Sequence, residues 1–93
     1  MKNIITKSIS TALEKLNYSI DKLNVQKTKN PAHGDYSANI AMLLSKELKR
    51  NPSEIAQEII NKVEQLYPEN FSSIEIAGPG FINFKISPKI LFE

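Results

Sequence analysis

The chain has 93 residues, 41% of them hydrophobic and 24% charged, with a formal net charge of +2. That size suits one small domain with a modest core, and the balance excludes a disordered or membrane-embedded chain on composition. With no Cys and one His, disulfides and thiolate metal sites are excluded and an all-protein zinc site is disfavoured, while a charge of +2 is too small to argue nucleic-acid binding on its own.

No apolar run approaches the ~20 residues that span a bilayer, and the N-terminus lacks the basic, apolar, cleavage-site order of a signal peptide. The expected location is therefore the cytoplasm, with no membrane partner. No internal repeat or low-complexity tract interrupts the chain.

Ile5, Ile9, Ala12, Leu13 and Leu16 recur at helical spacing and predict a helix from about Lys2 to Asn17, with Asn17 as its stop. From Tyr18 to Lys29 the helical period is lost, and Ile20, Leu23 and Val25 with Gln26, Lys27 and Thr28 predict a loop feeding an extended segment. The run from Asn30 to Asp35 is dense in turn formers, and Asp35 is expected to cap the helix that follows. His33 and Asp35 lack a nucleophile or a convergent third group, so both are read as structural rather than catalytic.

Ala38, Ala41, Leu44 and Leu48, flanked by Ile40 and Leu43, predict a second helix from about Tyr36 to Lys49. Asn51-Pro52-Ser53-Glu54 then restarts the helix, with Asn51 as N-cap, Pro52 at the first helical position and Glu54 reaching back as in a capping box. Ile55, Ala56, Ile59, Ile60, Val63 and Leu66 continue an apolar stripe until Tyr67-Pro68 ends it.

From Ile74 to Ile86 the sequence alternates on both sides of Gly78-Pro79-Gly80, which predicts a β-hairpin. After it, Ser87-Pro88 repeats the cap-then-proline signature, so residues 87–93 read as the first turn of a helix that the chain does not finish. Amphipathic helices, one extended segment and a hairpin bury their apolar faces together only as two layers. The expected class is thus α+β, with helices packed on one face of a small antiparallel sheet that ends in the hairpin.

Strand alternation puts Ile82, Phe84 and Ile86 on one side of the last strand and Phe81, Asn83 and Lys85 on the other. The first set is core. The second offers an aromatic plane, an amide that both donates and accepts, and a long cation, which are the parts of a single-nucleotide site. An aromatic face stacks a base for roughly 1–3 kcal/mol, an Asn amide pairs with a base edge, and Lys meets phosphate as a point charge. The same three residues also suit a solvated sheet face with Phe81 packed under a neighbouring loop, and pattern alone leaves both readings open.

Gly34-Asp35-Tyr36-Ser37-Ala38-Asn39, then Asn51-Pro52 with Ile55-Ala56, then Ile76-Ala77-Gly78-Pro79-Gly80-Phe81-Ile82-Asn83-Phe84, resembles the N-terminal additional domain of arginyl-tRNA synthetase. The match in order and spacing runs from Val25 to Pro88, and the Ala-Gly-Pro-Gly-Phe-Ile-Asn-Phe run is its specific part. The resemblance implies a domain that contacts the outer corner of tRNA(Arg) and reads its D-loop, with the positions of Phe81 and Asn83 supplying the aromatic and the amide. Lys85 joins them from strand geometry alone.

By the same resemblance, residues 1–86 form the tRNA-binding domain and 87–93 begin a linker toward a catalytic domain that this chain does not include. That domain would attach arginine to tRNA using ATP with Mg. Neither a His-Ile-Gly-His-type nor a Lys-Met-Ser-Lys-type signature occurs in the chain, so no catalytic residue, cofactor or metal is assigned to it. The expected partners are tRNA(Arg) and the enzyme's own catalytic domain, with a monomer as the expected state. The alternative reading keeps the fold and makes the module a protein-interaction or dimerisation domain anchored by Phe81, distinguished by its indifference to salt.

Overall fold

The computed structural model describes residues 2–19, 21, 23–28 and 34–88. In chain order the elements are α1 (Lys2–Lys15), β1 (Val25–Lys27), β2 (Tyr36–Ala38), α2 (Ile40–Leu48), α3 (Pro52–Leu66), β3 (Phe71–Ala77) and β4 (Phe81–Ile86). The four strands form one antiparallel sheet in the order β1-β2-β4-β3, and β3 and β4 are the expected hairpin. The α+β arrangement read from the sequence is the one observed.

Helical spacing becomes a shared interior. Ile5, Ile9, Ala12 and Leu13 of α1 meet Ile55, Ala56, Ile59 and Val63 of α3, and all of them are fully buried. The helices close over Val25, Ala38, Ile82, Phe84 and Ile86 from the sheet. Burying one such Ile or Phe is worth about 1.5–3 kcal/mol, so β4, with three of them in six residues, is the strand most strongly committed to one orientation.

The helix ends follow local chemistry. Asn17 stops α1 at φ 62°, with the Tyr18 N–H donating to the Leu13 carbonyl at 2.9 Å and the Asn17 N–H to the Glu14 carbonyl at 3.1 Å. This is a Schellman closure with Asn in the left-handed position. Asn51 caps α3 through its Oδ1, which accepts from the Ser53 N–H at 2.8 Å, with Pro52 at the first helical position. The expected return bond from Glu54 is not made, so the cap is single rather than reciprocal.

Three further expectations are corrected. The second helix begins at Ile40, and Tyr36–Ala38 is instead a strand paired to both β1 and β4. Ala38 and Ala41 happen to fall at helical spacing, which disguised an inward strand residue as the first of a stripe. Leu48, placed on the same stripe, is 41% exposed. Asp35 caps no helix, because it stands at a bend that leads into β2, five residues before α2 starts at Ile40. Its own N–H donates to the Phe84 carbonyl at 2.8 Å, and its Oδ2 accepts from the Ile86 N–H at 2.9 Å. His33 and the helix anticipated through residues 89–93 lie outside the described residues.

One polar cluster ties the helical layer together at its edge. The Tyr18 hydroxyl, just past α1, donates to Glu58 of α3 and accepts from Arg50 at 2.6 Å, while Arg50 donates to Glu58 at 2.9 Å. At 40% and 39% side-chain exposure the Arg50–Glu58 pair adds at most ~1 kcal/mol. Burial first, and the bond to Glu58 second, raise the Tyr18 phenol above its ordinary value of 10.0.

A raised phenol pKa means that the folded state holds this proton more tightly than the unfolded one. The Tyr18 contribution is therefore complete below a pH of about 10 and is lost as the pH rises through the folded value. Denaturant titrations across that window should show stability falling with pH, with a shallower fall in Tyr18→Phe. Asn51→Ala should lower stability by about 1 kcal/mol in the same measurement, as loss of a single N-cap bond does.

Candidate functional site

Two close approaches around the hairpin leave room only for glycine. Gly80, buried at φ +142°, lies so close to the junction of α2 and α3 that a Cβ would fall 2.8 Å from Pro52 Cβ and 3.1 Å from Met42 Cγ. Gly34, at φ +91°, lies against β4, where a Cβ would fall 2.9 Å from the Phe84 carbonyl oxygen. Both backbones sit in the left-handed half of φ, where a side chain adds strain to the clash. Beside Gly34, Asp35 extends the pairing of β2 with β4 by one backbone bond and one side-chain bond.

With Ile82, Phe84 and Ile86 turned inward, Phe81, Asn83 and Lys85 stand together on the open face of the sheet. Phe81 is 40% exposed, Asn83 half-buried and Lys85 exposed. Register sets their neighbours: Ala77 lies beside Phe81, Ser37 and Glu75 flank Asn83, and Ser73 lies beside Lys85. Gln26 pairs with Ser37, so the row Gln26, Ser37, Asn83, Glu75 crosses all four strands on one face.

The expected triad is thus gathered, and the sheet adds residues that sequence reasoning passed over. Asn24, Gln26, Ser37 and Asn39 line a shallow cleft against Phe81. Their signal was present as a period of two, with Val25 and Ala38 buried between outward neighbours. It went unread because β1 and β2 are three residues each, too short for alternation to declare itself.

Chemically this face can stack a planar ring on Phe81 and exchange hydrogen bonds in both directions through amides and a hydroxyl. Glu75 and Lys85 bring one charge of each sign, and Lys85 holds no ion pair among the described residues. Among the described residues no group of His, Cys, Asp and Glu could hold a metal ion, and no helix is long and apolar enough to cross a membrane.

The family model described as the arginyl tRNA synthetase N terminal domain matches residues 3–86. Arginine–tRNA ligase from Mycoplasmoides gallisepticum is 48% identical over 84 residues, which cover 89% of this chain and 15% of that protein. The ligase from Chlorobium limicola is 40% identical over 95 residues, covering 100% of this chain and 17% of the relative. The chain therefore spans about a sixth of the length of the curated relatives it matches. Among solved structures, the arginyl-tRNA synthetase of Thermus thermophilus superposes with a TM-score of 0.78 at 25% identity, over 98% of this chain and 15% of that one.

The Asp35 clamp is directly testable. Asp35→Ala leaves the Ile86 N–H without its acceptor and should cost about 1.5–3 kcal/mol, the range for a hydrogen bond to a charged group. Hydrogen exchange should show the Ile86 amide losing protection first, and Asp35→Asn, which keeps a carbonyl acceptor, should restore most of it.

Proposed function

The chain belongs to the family of arginyl-tRNA synthetase N-terminal domains, and from that premise we propose that it is the tRNA-recognition domain of an arginine–tRNA ligase. Its partner is tRNA(Arg), met at the D-loop on the outer corner of the molecule. Residues 1–86 constitute the binding domain, and 87–93 lead toward the catalytic region. Attachment of arginine with ATP and Mg belongs to that region, in a cytoplasmic, monomeric enzyme.

The observation that carries this reading is Phe81. It is a large aromatic left 40% exposed on a strand whose inward side is filled by Ile82, Phe84 and Ile86. A ring so placed is held in position without being used by the core. A D-loop base stacks on it, and Asn83, two residues along the same face, meets the edge of that base. Lys85 lies about 13 Å from Phe81 at the rise of an extended strand, so it meets the phosphate of a neighbouring nucleotide.

Recognition then divides into a part that reads the base and a part that positions the backbone. In the full-length ligase, Phe81→Ala and Asn83→Ala should each weaken productive use of tRNA by roughly 1–3 kcal/mol, the range for a lost stack or base-edge contact. Binding of ATP and arginine should be unchanged. The two losses should be less than additive, because both act on one nucleotide.

Lys85→Ala should instead weaken all tRNA variants alike and reduce the salt slope by about one. Steady-state aminoacylation against tRNA concentration, with a thermal-unfolding check on each variant, measures all of these. Wild-type kinetics in a folded Phe81→Ala, Asn83→Ala double variant would overturn the reading. Salt-independent loss would favour an apolar protein interface at Phe81 in its place.

A further inference from the structure

The cleft beside Phe81 has a volume of about 50 Å³, the room of one or two waters. That is too little for a nucleotide, and enough for the polar fringe of a ring whose body lies outside on Phe81. Its remaining walls are Asn24, Gln26, Ser37 and Asn39, with no charged side chain among them. Phosphate would want a cation there, and a metal ion would want a carboxylate. Carboxamides place a donor and an acceptor side by side, which is the pattern on a nucleobase edge.

These groups are also uncommitted. Away from the cleft, the side chains of Asn51, Gln57, Asn61, Gln65 and Asn70 make hydrogen bonds within the fold, while those of Asn3 on α1 and Asn17 just past it make none among the described residues. Those of Asn24, Gln26, Ser37, Asn39 and Asn83 make none among the described residues. Asn39 is the sharpest case. It occupies the N-cap position of α2, where an Asn side chain ordinarily accepts a backbone N–H, yet at φ −110° and ψ 17° it makes no cap bond. Asn39 is instead one of the residues that line the cleft.

Charge gives the orientation. Glu75 lies beyond Asn83 on the β3 side, whereas Lys85 lies along β4, beside an Asp35 carboxylate that already accepts from the Ile86 N–H. A polyanionic strand turns its phosphates from Glu75 toward Lys85, which sends the base across β2 toward β1. We infer that the cleft is the specificity pocket of this site: the edge of the base stacked on Phe81 is read from the β1–β2 side by Gln26 and Asn39, together with Asn83. This inference rests on the nucleotide-reading role of Phe81 and Asn83 proposed above.

The test uses the full-length ligase and tRNA(Arg) transcripts in which each D-loop position is changed in turn to the other bases. Wild-type enzyme should discriminate at one position by about tenfold or more in kcat/KM, the scale of a base-edge contact. Gln26→Ala and Asn39→Ala should each lose about tenfold on the preferred transcript and nearly level the bases at that position, with the other positions untouched. Asn39→Ala should leave the unfolding temperature unchanged, because no cap bond is lost. Asn39→Ser, which restores capping ability in a shorter side chain, should be at least as stable and equally indiscriminate.

Retained base discrimination in both the Gln26 and Asn39 variants, with Phe81→Ala still impaired, would overturn the pocket and leave the reading by Phe81 and Asn83 standing. Wild-type behaviour in all four single alanine variants would instead remove the nucleotide site itself, and the pocket with it. Loss of stability in Asn39→Ala, with discrimination intact in folded Asn39→Ser, would assign Asn39 to the fold and also overturn its role in reading.

Discussion

The inward burial of Ile82, Phe84 and Ile86 is the constraint on which the open face depends. Because strand side chains alternate, three apolar contacts beneath the helices fix the orientation of Phe81, Asn83 and Lys85 above. A slip of one residue would expose two Ile and a Phe and bury Phe81 with Asn83 and Lys85, a net loss of about two apolar side chains at roughly 1.5–3 kcal/mol each, with the cost of burying an amide and an ammonium added. Register on this strand is therefore far more firmly specified than on β1, where Val25 alone is buried.

The parts of the fold legible in the sequence were those with long periods or strong punctuation. The stripe of α3, the Asn51-Pro52 start, the Asn17 stop and the Gly-Pro-Gly hairpin each rest on several residues that agree. β2 was hidden because three residues of strand run almost directly into a helix, and Ala38 serves either period. Asp35 was misjudged for a related reason. Its acceptor role is long-range, toward the Ile86 N–H at |i−j| of 51, and no local pattern announces such a bond.

The candidate site divides in the same way. Its β4 half could be read from alternation, since six residues suffice to show which side is apolar. Its β1–β2 half depends on strand order and register, which place Gln26 beside Ser37 and Ser37 beside Asn83. Glu75 and Lys85 bring opposite charges, and the nearby Asp35 carboxylate is engaged by the Ile86 N–H, so the face has little electrostatic reach. On the proposed reading, selectivity would come from fit and hydrogen bonding more than from counterion release.

The two glycine contacts bear on the thermodynamics of recognition. Gly34 sits against the backbone of β4 at Phe84, and Gly80, just before the strand, lies against Pro52 and Met42, so the strand that presents Phe81 packs closely on its neighbours at two points. On the reading proposed above, a ligand arriving at this face meets a backbone that is already fixed along β2 and β4. The entropic cost of association then falls on the ligand and on a few side-chain rotamers, each costing about 0.5–1.5 kcal/mol to immobilise. On the proposed reading, a nucleotide that is already unpaired and splayed would bind more tightly than the same nucleotide when it must first be unstacked.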